Sequence, residues 1–333
     1  MATLAVTHPT LADVAKATDP DGKIATIVEI LNETNEILED MVWVEGNLPT
    51  GHRTTIRAGL PAPTWRKLYG GVQPTKATNV QVTDTTGMLE AYAEIDKALA
   101  DLNGNSAAFR MTEDKAHIEG MSQEFAATLM YGNEGTAPEE FTGFAPRFND
   151  NSGPANADNI ILGGGSGADN NSIWLISWGA NTVHGIYPKG SKAGLQFNDK
   201  GQVTIEDSDG SNGGRYEAYR SHYRWDVGLS VRDWRYVVRI CNIDQSLLTA
   251  NKSTGADVTD LMAQAIELLP NASSGRPAFY MNRGLRSVLR RQIANTTNVQ
   301  LNMDQVGGKS VMSFDGIPVR RCDMLTSTEA TIS

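Results

Sequence analysis

The sequence predicts an α+β fold, and three stretches carry that reading. Residues 223–243, YRWDVGLSVRDWRYVVRICNI, alternate like a strand and pack Tyr223, Trp225, Trp234 and Tyr236 among Arg224, Arg232, Arg235 and Arg239. Residues 106–133 place Ile118, Met121, Phe125, Ala126, Leu129 and Met130 at helical spacing. After Asn251, helical and strand-like runs alternate.

In the first of these the apolar set is Trp225, Val227, Leu229 and Val231, then Trp234, Tyr236, Val238 and Ile240, so odd positions give way to even ones. A one-residue slip turns the apolar set to the opposite face, so one long strand with a bulge, bend or change of neighbour at Arg232-Asp233 is expected. Aromatic and arginine side chains together are what buried protein interfaces favour.

From the N-terminus, Asp19-Pro20-Asp21-Gly22 is a turn, and Ile24, Ile27, Val28, Leu31, Ile37 and Met41 form a helical stripe with Glu29, Glu33, Glu36 and Asp40 on the wet side. Residues 46–65 are rich in Gly, Pro and Thr and read as extended chain. β-like pieces are expected at Tyr69–Gly71 and Val80–Val82. With few large apolar side chains, the 53–86 region cannot hold itself together by burial, so it is expected to project and be ordered by contacts elsewhere. Thr112 suits an N-cap with Glu113 and Asp114 in the first turn, and Tyr131-Gly132-Asn133 ends a helix of about 20 residues, on the order of 30 Å long. Residues 134–172 read as loop, including a flexible Gly163–Gly167. Strands then alternate with turns, beginning at Ile173–Ile176.

Val258, Leu261, Met262, Ala265, Ile266 and Leu269 form a helical face closed by Pro270. Ala278–Met281 is a strand, Asn282 an N-cap, and Leu285, Val288, Leu289 and Ile293 the next helical face. Val299–Met303 and Val311–Phe314 are strand-like, and Asp315-Gly316 turns into Ile317-Pro318-Val319.

Composition narrows the function. The 333 residues carry 29 basic and 39 acidic side chains, a balance unsuited to tight, phosphate-driven nucleic-acid binding. Cys241 and Cys322 lie 81 positions apart, which suits two reduced buried thiols and neither a zinc site nor a disulfide framework. No secretory signal or bilayer-length apolar run is visible, so a soluble protein made in a cytoplasm is expected.

No catalytic set emerges. Gly163–Gly167 lacks the ending of a phosphate loop, and Asp207–Asn212 lacks the later ligands of a calcium loop, leaving a hairpin tip. The five histidines show no metal spacing, and Ser166 sits in no nucleophile elbow. Arg286 and Arg290, four apart on one helix face, read either as a solvated face or as a contact for phosphates or an acidic neighbour, with an intersubunit charge match to the acidic helix at 24–41 as a third reading. The alternative function is a β-rich carbohydrate-binding protein or glycosidase with Trp174, Trp178, Trp225 and Trp234 as a sugar platform. Its nearest carboxylates, Asp226 and Asp233, fall on opposite faces of a strand.

TEDKAHIEGMSQEFAATLMYGN at 112, WGANTVHGIYPKGSKAGLQ at 178, YRWDVGLSVRDWRYVVRICNID at 223 and FDGIPVRRCDMLTSTEA at 314 resemble podovirus-type major capsid proteins of tailed bacteriophages, with the Hong Kong 97-type fold. The resemblance implies an N-terminal arm (1–52), an extended β-hairpin loop (53–86), a peripheral domain (87–249) with a spine helix at about 112–132 and long strands at about 215–243, and an axial domain (250–333). Because the chain ends on the axial segment, a permuted order is expected, with the long strands before that domain. The resemblance further implies hexamers and pentamers of an icosahedral shell around double-stranded DNA, made in the host bacterial cytoplasm and ending in the virion. Expected partners are a separate scaffolding protein, a portal protein and a cement or decoration protein, with loose contact to the packaged DNA and none to a membrane. Neither enzyme activity nor a cofactor nor a metal is expected. Candidate intersubunit contacts are Arg53, Trp65, Lys67, Tyr69, Lys76, Trp225, Arg232, Trp234, Arg235, Arg286 and Arg290. Lys67 and Lys76 lie where some relatives cross-link, but no acid partner is visible, so a shell without cross-links is expected.

Overall fold

In the computed structural model, residues 35–102, 106–206, 214–271, 273–295, 301–306 and 309–333 are described, the side chains of 301–311 excepted. They divide into two compact units, a smaller one of Met88–Phe125 and Gly194–Asp226 and a larger one of residues 35–87, Ala126–Ala193 and Val227–Ser333.

The larger unit is built around β5 (Asn170–Trp178), every residue of which is buried. Burial on both faces explains why Ile173-Trp174-Leu175-Ile176 reads as a continuous apolar run. β5 lies between two antiparallel partners, β9 (Val237–Asp244) and β10 (Arg276–Met281). β13 (Ile317–Arg321) runs parallel to β10 and is followed outward by β12 (Lys309–Phe314) and β11 (Leu301–Val306). Ile173 and Leu175 point into a core shared with Val238 and Ile240 of β9, Phe279 and Met281 of β10, and the apolar faces of α4 (Val258–Glu267) and α5 (Arg283–Ala294). On the opposite face the Trp174 ring sits 5.8 Å from Phe144 and 6.0 Å from Phe148, centre to centre.

The local signals read after Asn251 hold. Asp257 caps α4, accepting from the Thr259 and Asp260 amides, and Asn282 caps α5, accepting from Leu285. Leu285, Val288, Leu289 and Ile293 are all buried, and Asp315-Gly316 turns with φ of 48° and 78°. Both cysteines are buried, and the Cys322 thiol donates to Asn35 Oδ1 at 3.6 Å.

The stretch expected as one long strand is two. β8 (Arg215–Val231) stops one residue before the predicted slip. The amides of Arg232 and Asp233 both donate to the Thr182 carbonyl, and Asp233 caps a 3₁₀ turn at Trp234–Tyr236. β9 then begins at a different place. The end of β8 pairs with β6 (Val183–Tyr187), whereas β9 pairs with β5 and with the short β4 (Ile160–Leu162). The predicted change of neighbour is present, and Trp234 and Tyr236 belong to the turn. β9 shares its core with α4 and α5.

Gly163–Gly167 is held along β9, its Gly163 and Gly165 amides donating to the Cys241 and Asn242 carbonyls at 2.7 Å, so it is not the free loop expected. A Cβ on Gly165 would meet the Asn242 oxygen at 2.6 Å, which explains glycine there.

β2 (Gly51–Gly59) and β3 (Thr78–Asp96) form an antiparallel hairpin in register from Gly51↔Thr85 to Arg57↔Asn79, with a register shift before Gly59↔Thr78. Part of the Gly-, Pro- and Thr-rich stretch read as extended chain is therefore paired strand, while Tyr69–Gly71, expected as β-like, is a turn in which the Gly70 amide donates to the Lys67 carbonyl. β1 (Trp43–Glu45) runs parallel to β6.

In the smaller unit β3 continues toward α2 (Lys97–Asp101) and α3 (Ser106–Tyr131) begins. The helix starts six residues before the expected cap. Ala107 and Ala108 favour helix and Phe109 is buried, so the first turns are stable without Thr112, whose Oγ1 instead donates to the Ala108 carbonyl at 3.0 Å. β7 (Gln196–Glu206) pairs antiparallel with β8. Leu89, Ala91 and Ala93 cluster with Met121 and Tyr223, and Ile95 clusters with Ala100 and Phe109. The intervening Glu90 and Glu94 meet His222 at 3.2 Å and Arg220 at 2.5 Å.

Of the expected helix at 24–41 only its end, α1 (Ile37–Asp40), is described, with Ile37 fully buried. Residues 1–34, the expected tip at 207–212 and the first residues of the strand expected at 299–303 lie outside the described residues.

Candidate assembly surface

The hairpin formed by β2 and β3 narrows to residues 60–77, which make no strand pairing. Its side chains face solvent: Trp65 is 99 % exposed, Leu68 90 % and Tyr69 102 %, with Leu60 and Val72 also exposed. Contiguous apolar exposure of this kind marks a surface that meets another molecule. Arg53, Lys67 and Lys76 are exposed on the same hairpin, and Arg53 Nε donates to Thr83 Oγ1 at 3.1 Å across it. Asn47 clamps the Arg53 backbone from both sides, accepting from its amide and donating to its carbonyl at 2.7 Å each.

One sequence signal of this surface is its charge. Between Arg53 and Thr83 stand Arg53, Arg57, Arg66, Lys67 and Lys76 and no Asp or Glu, in a chain of formal net charge −10.

The hairpin root is polar and tightly closed. Asp84, 3 % exposed, accepts from Arg147 at 2.9 Å and from Ser230 at 2.8 Å. His184 is buried beside it, neither ring nitrogen within hydrogen-bonding geometry of a partner among the described residues, its ring 5.6 Å from that of His52. Burial, then His52 and Arg232, pull its pKa down to about 4, against the Gly179 backbone and Asp84, which favour the charged form. Burial lowers His52 as well. Nothing in the spacing of the histidines marked this pair, because the two are brought together only by pairing of distant strands.

The remaining candidates are dispersed. Trp225 is partly buried against Phe125 at 4.5 Å. Trp234 is partly buried in the turn, where Arg235 forks onto Asp233 at 2.9 and 2.7 Å. Arg232 is exposed and donates to Asn181. On α5, Arg290 is exposed and Arg286 half-buried, with burial lowering the latter's pKa. The described end of the acidic stretch is engaged by its own chain: Glu36 and Asp40 lie 3.5 and 3.2 Å from Arg320, and Tyr280 donates to Asp40 at 2.8 Å.

A sugar platform is not assembled. Trp174 and Trp178 are fully buried, Asp226 is held by Arg224 at 2.9 Å, and Asp233 by Arg235. Among the described residues no group of His, Cys, Asp and Glu could hold a metal ion, and no helix is long and apolar enough to cross a membrane.

Residues 19–333 match the family model described as major capsid protein GP7. A chain in the cryo-EM structure of bacteriophage epsilon15 is 42 % identical, with 100 % of this chain and 99 % of that one covered at a TM-score of 0.79. A chain of the bacteriophage JBD30 capsid is 10 % identical, with 90 % and 93 % covered at a TM-score of 0.45. No curated protein matches. The chain belongs to the GP7 family of major capsid proteins: it has the Hong Kong 97-type fold and builds the icosahedral capsid of a tailed bacteriophage.

Proposed function

We propose that the chain assembles as hexamers and pentamers of the phage head, through binding alone and without catalysis. The exposed hairpin tip carries this reading, since Trp65, Leu68 and Tyr69 are unburied within their own chain. Residues 1–52 would act as an arm and 53–86 as the loop that reaches a neighbour, so that apolar surface is buried only on assembly. Heterologous contacts of this type close into rings. The candidate contacts on the hairpin, Arg53, Trp65, Lys67, Tyr69 and Lys76, are exposed as such a role requires. Arg232, Arg235 and Arg290 are also accessible, whereas Trp225, Trp234 and Arg286 offer only part of their surface. In this reading residues 87–249, with α3 and the long strands of about 215–243, form the peripheral domain, and residues 250–333, with α4 and α5, the axial domain.

A scaffolding protein, a portal and a decorating protein would be partners, assembly would take place in the bacterial cytoplasm, and the net charge of −10 would keep contact with packaged DNA loose. Expression with and without the scaffolding protein, followed by sedimentation and electron microscopy, tests this. Particles of megadalton mass are expected, and a chain that stays monomeric in every condition would sink the proposal.

A further inference from the structure

α5 carries Arg283, Arg286, Arg290 and Arg291 and no Asp or Glu. With Leu285, Val288, Leu289 and Ile293 turned into the core, Arg283, Arg290 and Arg291 stand exposed on the other side and Arg286 is half-buried at its edge. Arg320 and Arg321 of β13 lie close enough to Arg286 for their charges to act on it. Carboxylates answer only part of this cluster. Asp323 is shared by Arg283 at 3.0 Å and Arg321 at 2.8 Å, and Arg320 takes Glu36 and Asp40 at 3.5 and 3.2 Å. The side chains of Arg286, Arg290 and Arg291 make no ion pair or hydrogen bond among the described residues. Arg286 Nε is closed off from solvent, as is Arg320 Nε, each without an acceptor among those residues. Burial lowers the Arg286 pKa, with Arg290, Arg321 and Arg320 adding to the effect and Glu36 opposing it. A half-buried cation short of acceptors and crowded by like charges is destabilising, and an anion from outside would supply both charge and acceptors.

We propose that this cluster binds the phosphate backbone of double-stranded DNA, with Arg286, Arg290 and Arg291 as the contacts. This rests on the assembly reading above and gives the loose contact with packaged DNA a place on the chain, so that Arg286 and Arg290 face the cargo and not a second copy. The planar guanidinium fork matches phosphate oxygens two at a time. From Arg283 to Arg290 the helix advances about 10 Å, a length over which one DNA strand presents about three phosphates. Ser287, exposed among the arginines, offers a hydroxyl donor as well. No large apolar side chain is exposed on α5. That separates this face from the hairpin tip, and it favours a charged, hydrated ligand over a protein neighbour.

The test follows the fluorescence anisotropy of a labelled DNA duplex of mixed sequence with the unassembled full chain, across a salt series. Removing two phosphate contacts lowers the slope of log affinity against log salt by about 2. Arg286→Gln with Arg290→Gln is expected to flatten the slope by that amount and to weaken binding more than about tenfold at about 50 mM salt. Arg66→Gln with Lys67→Gln on the hairpin is expected to change neither. Arg290→Gln with Arg291→Gln, both exposed, repeats the test if the half-buried Arg286 is needed for folding. No binding by the wild-type chain, or binding lost with the hairpin pair and kept with both α5 pairs, overturns the proposal. Displacement of the duplex by inorganic phosphate at the same phosphate concentration would make free phosphate the ligand and overturn the assignment to DNA. Particle yield is read alongside: the folded α5 variants are expected to form shells at wild-type yield. Shells lost in those variants alone would make the cluster a contact between copies and overturn the proposal. A wild-type chain that forms no particles overturns the assembly reading itself.

Discussion

Glu329 neutralises Arg239 from 90 residues away, at 2.7 Å, with both side chains 5 % exposed. Arg239 lies 4.9 Å over the Trp174 ring and donates to the Phe148 carbonyl, while Tyr131 donates to Glu329 at 2.7 Å. Burial and the Glu329 charge push the Tyr131 hydroxyl well above its ordinary range, so it stays a donor. Glu329→Ala would strand a buried guanidinium and is expected to lower stability by about 3–5 kcal/mol in urea unfolding of the unassembled chain. Glu329→Gln should lose less, since its amide oxygen still accepts. His184 titrates in the opposite sense from a paired base. Its folded pKa is about 4 against 6.5 when freed, so its stabilising effect is complete above pH 6.5, shrinks as pH falls, and is gone below about 4. The loss is on the order of 3 kcal/mol. His184→Phe should flatten that part of the stability-versus-pH curve, and an unchanged slope between pH 6.5 and 4 would remove His184 as its source. Neither role was legible in the sequence. Arg239 read as one of an interfacial aromatic–arginine set and is instead buried, because its partner arrives from the far end of the chain.

Elements specified by nearby residues were the legible ones. The apolar faces of α4 and α5, the Asn282 cap and the turn at Asp315-Gly316 depend on signals within a few positions. Asn282→Ala is expected to cost about 1 kcal/mol through the α5 cap, and more where its bond to Asn171 also matters, measured by thermal melting. Elements whose form depends on a distant partner were read less well. Thr112 looked like a helix start because the stability of the preceding Ala-rich turns comes partly from burial of Phe109. The break between β8 and β9 was visible as a slip, but its form, a 3₁₀ turn tied to Thr182, was not. Gly163–Gly167 read as loose because no local pattern announces a chain bonded along β9. Gly165→Ala should therefore destabilise, with lost hydrogen-exchange protection at Asp244, whose amide would lie 2.7 Å from the new Cβ.

At the scale of the molecule, charge is segregated. Taking the five positive side chains between Arg53 and Lys76 from the formal charge of −10 leaves −15 on the rest, since −10 − 5 = −15. Repulsion between like-charged bodies acts over long distances and is screened within about 10 Å at 0.1 M salt, while attraction between the positive hairpin and an acidic surface acts only when the two are close. The rate of assembly, followed by light scattering, is thus expected to peak at intermediate ionic strength, and a steady rise to molar salt would count against this. The capsid family, the projecting hairpin and the long helix were legible as an order of segments. The way β9 joins the core of the C-terminal segments was not, because it is set by pairing across the whole chain. The bare indole at the end of the hairpin has one more consequence. Of the six tryptophans, Trp174 and Trp178 are already buried and Trp65 stands free in solvent. The chain thus carries its own optical probe: in a Trp65-only background, emission should move to shorter wavelength as copies come together, reporting the event without any added label.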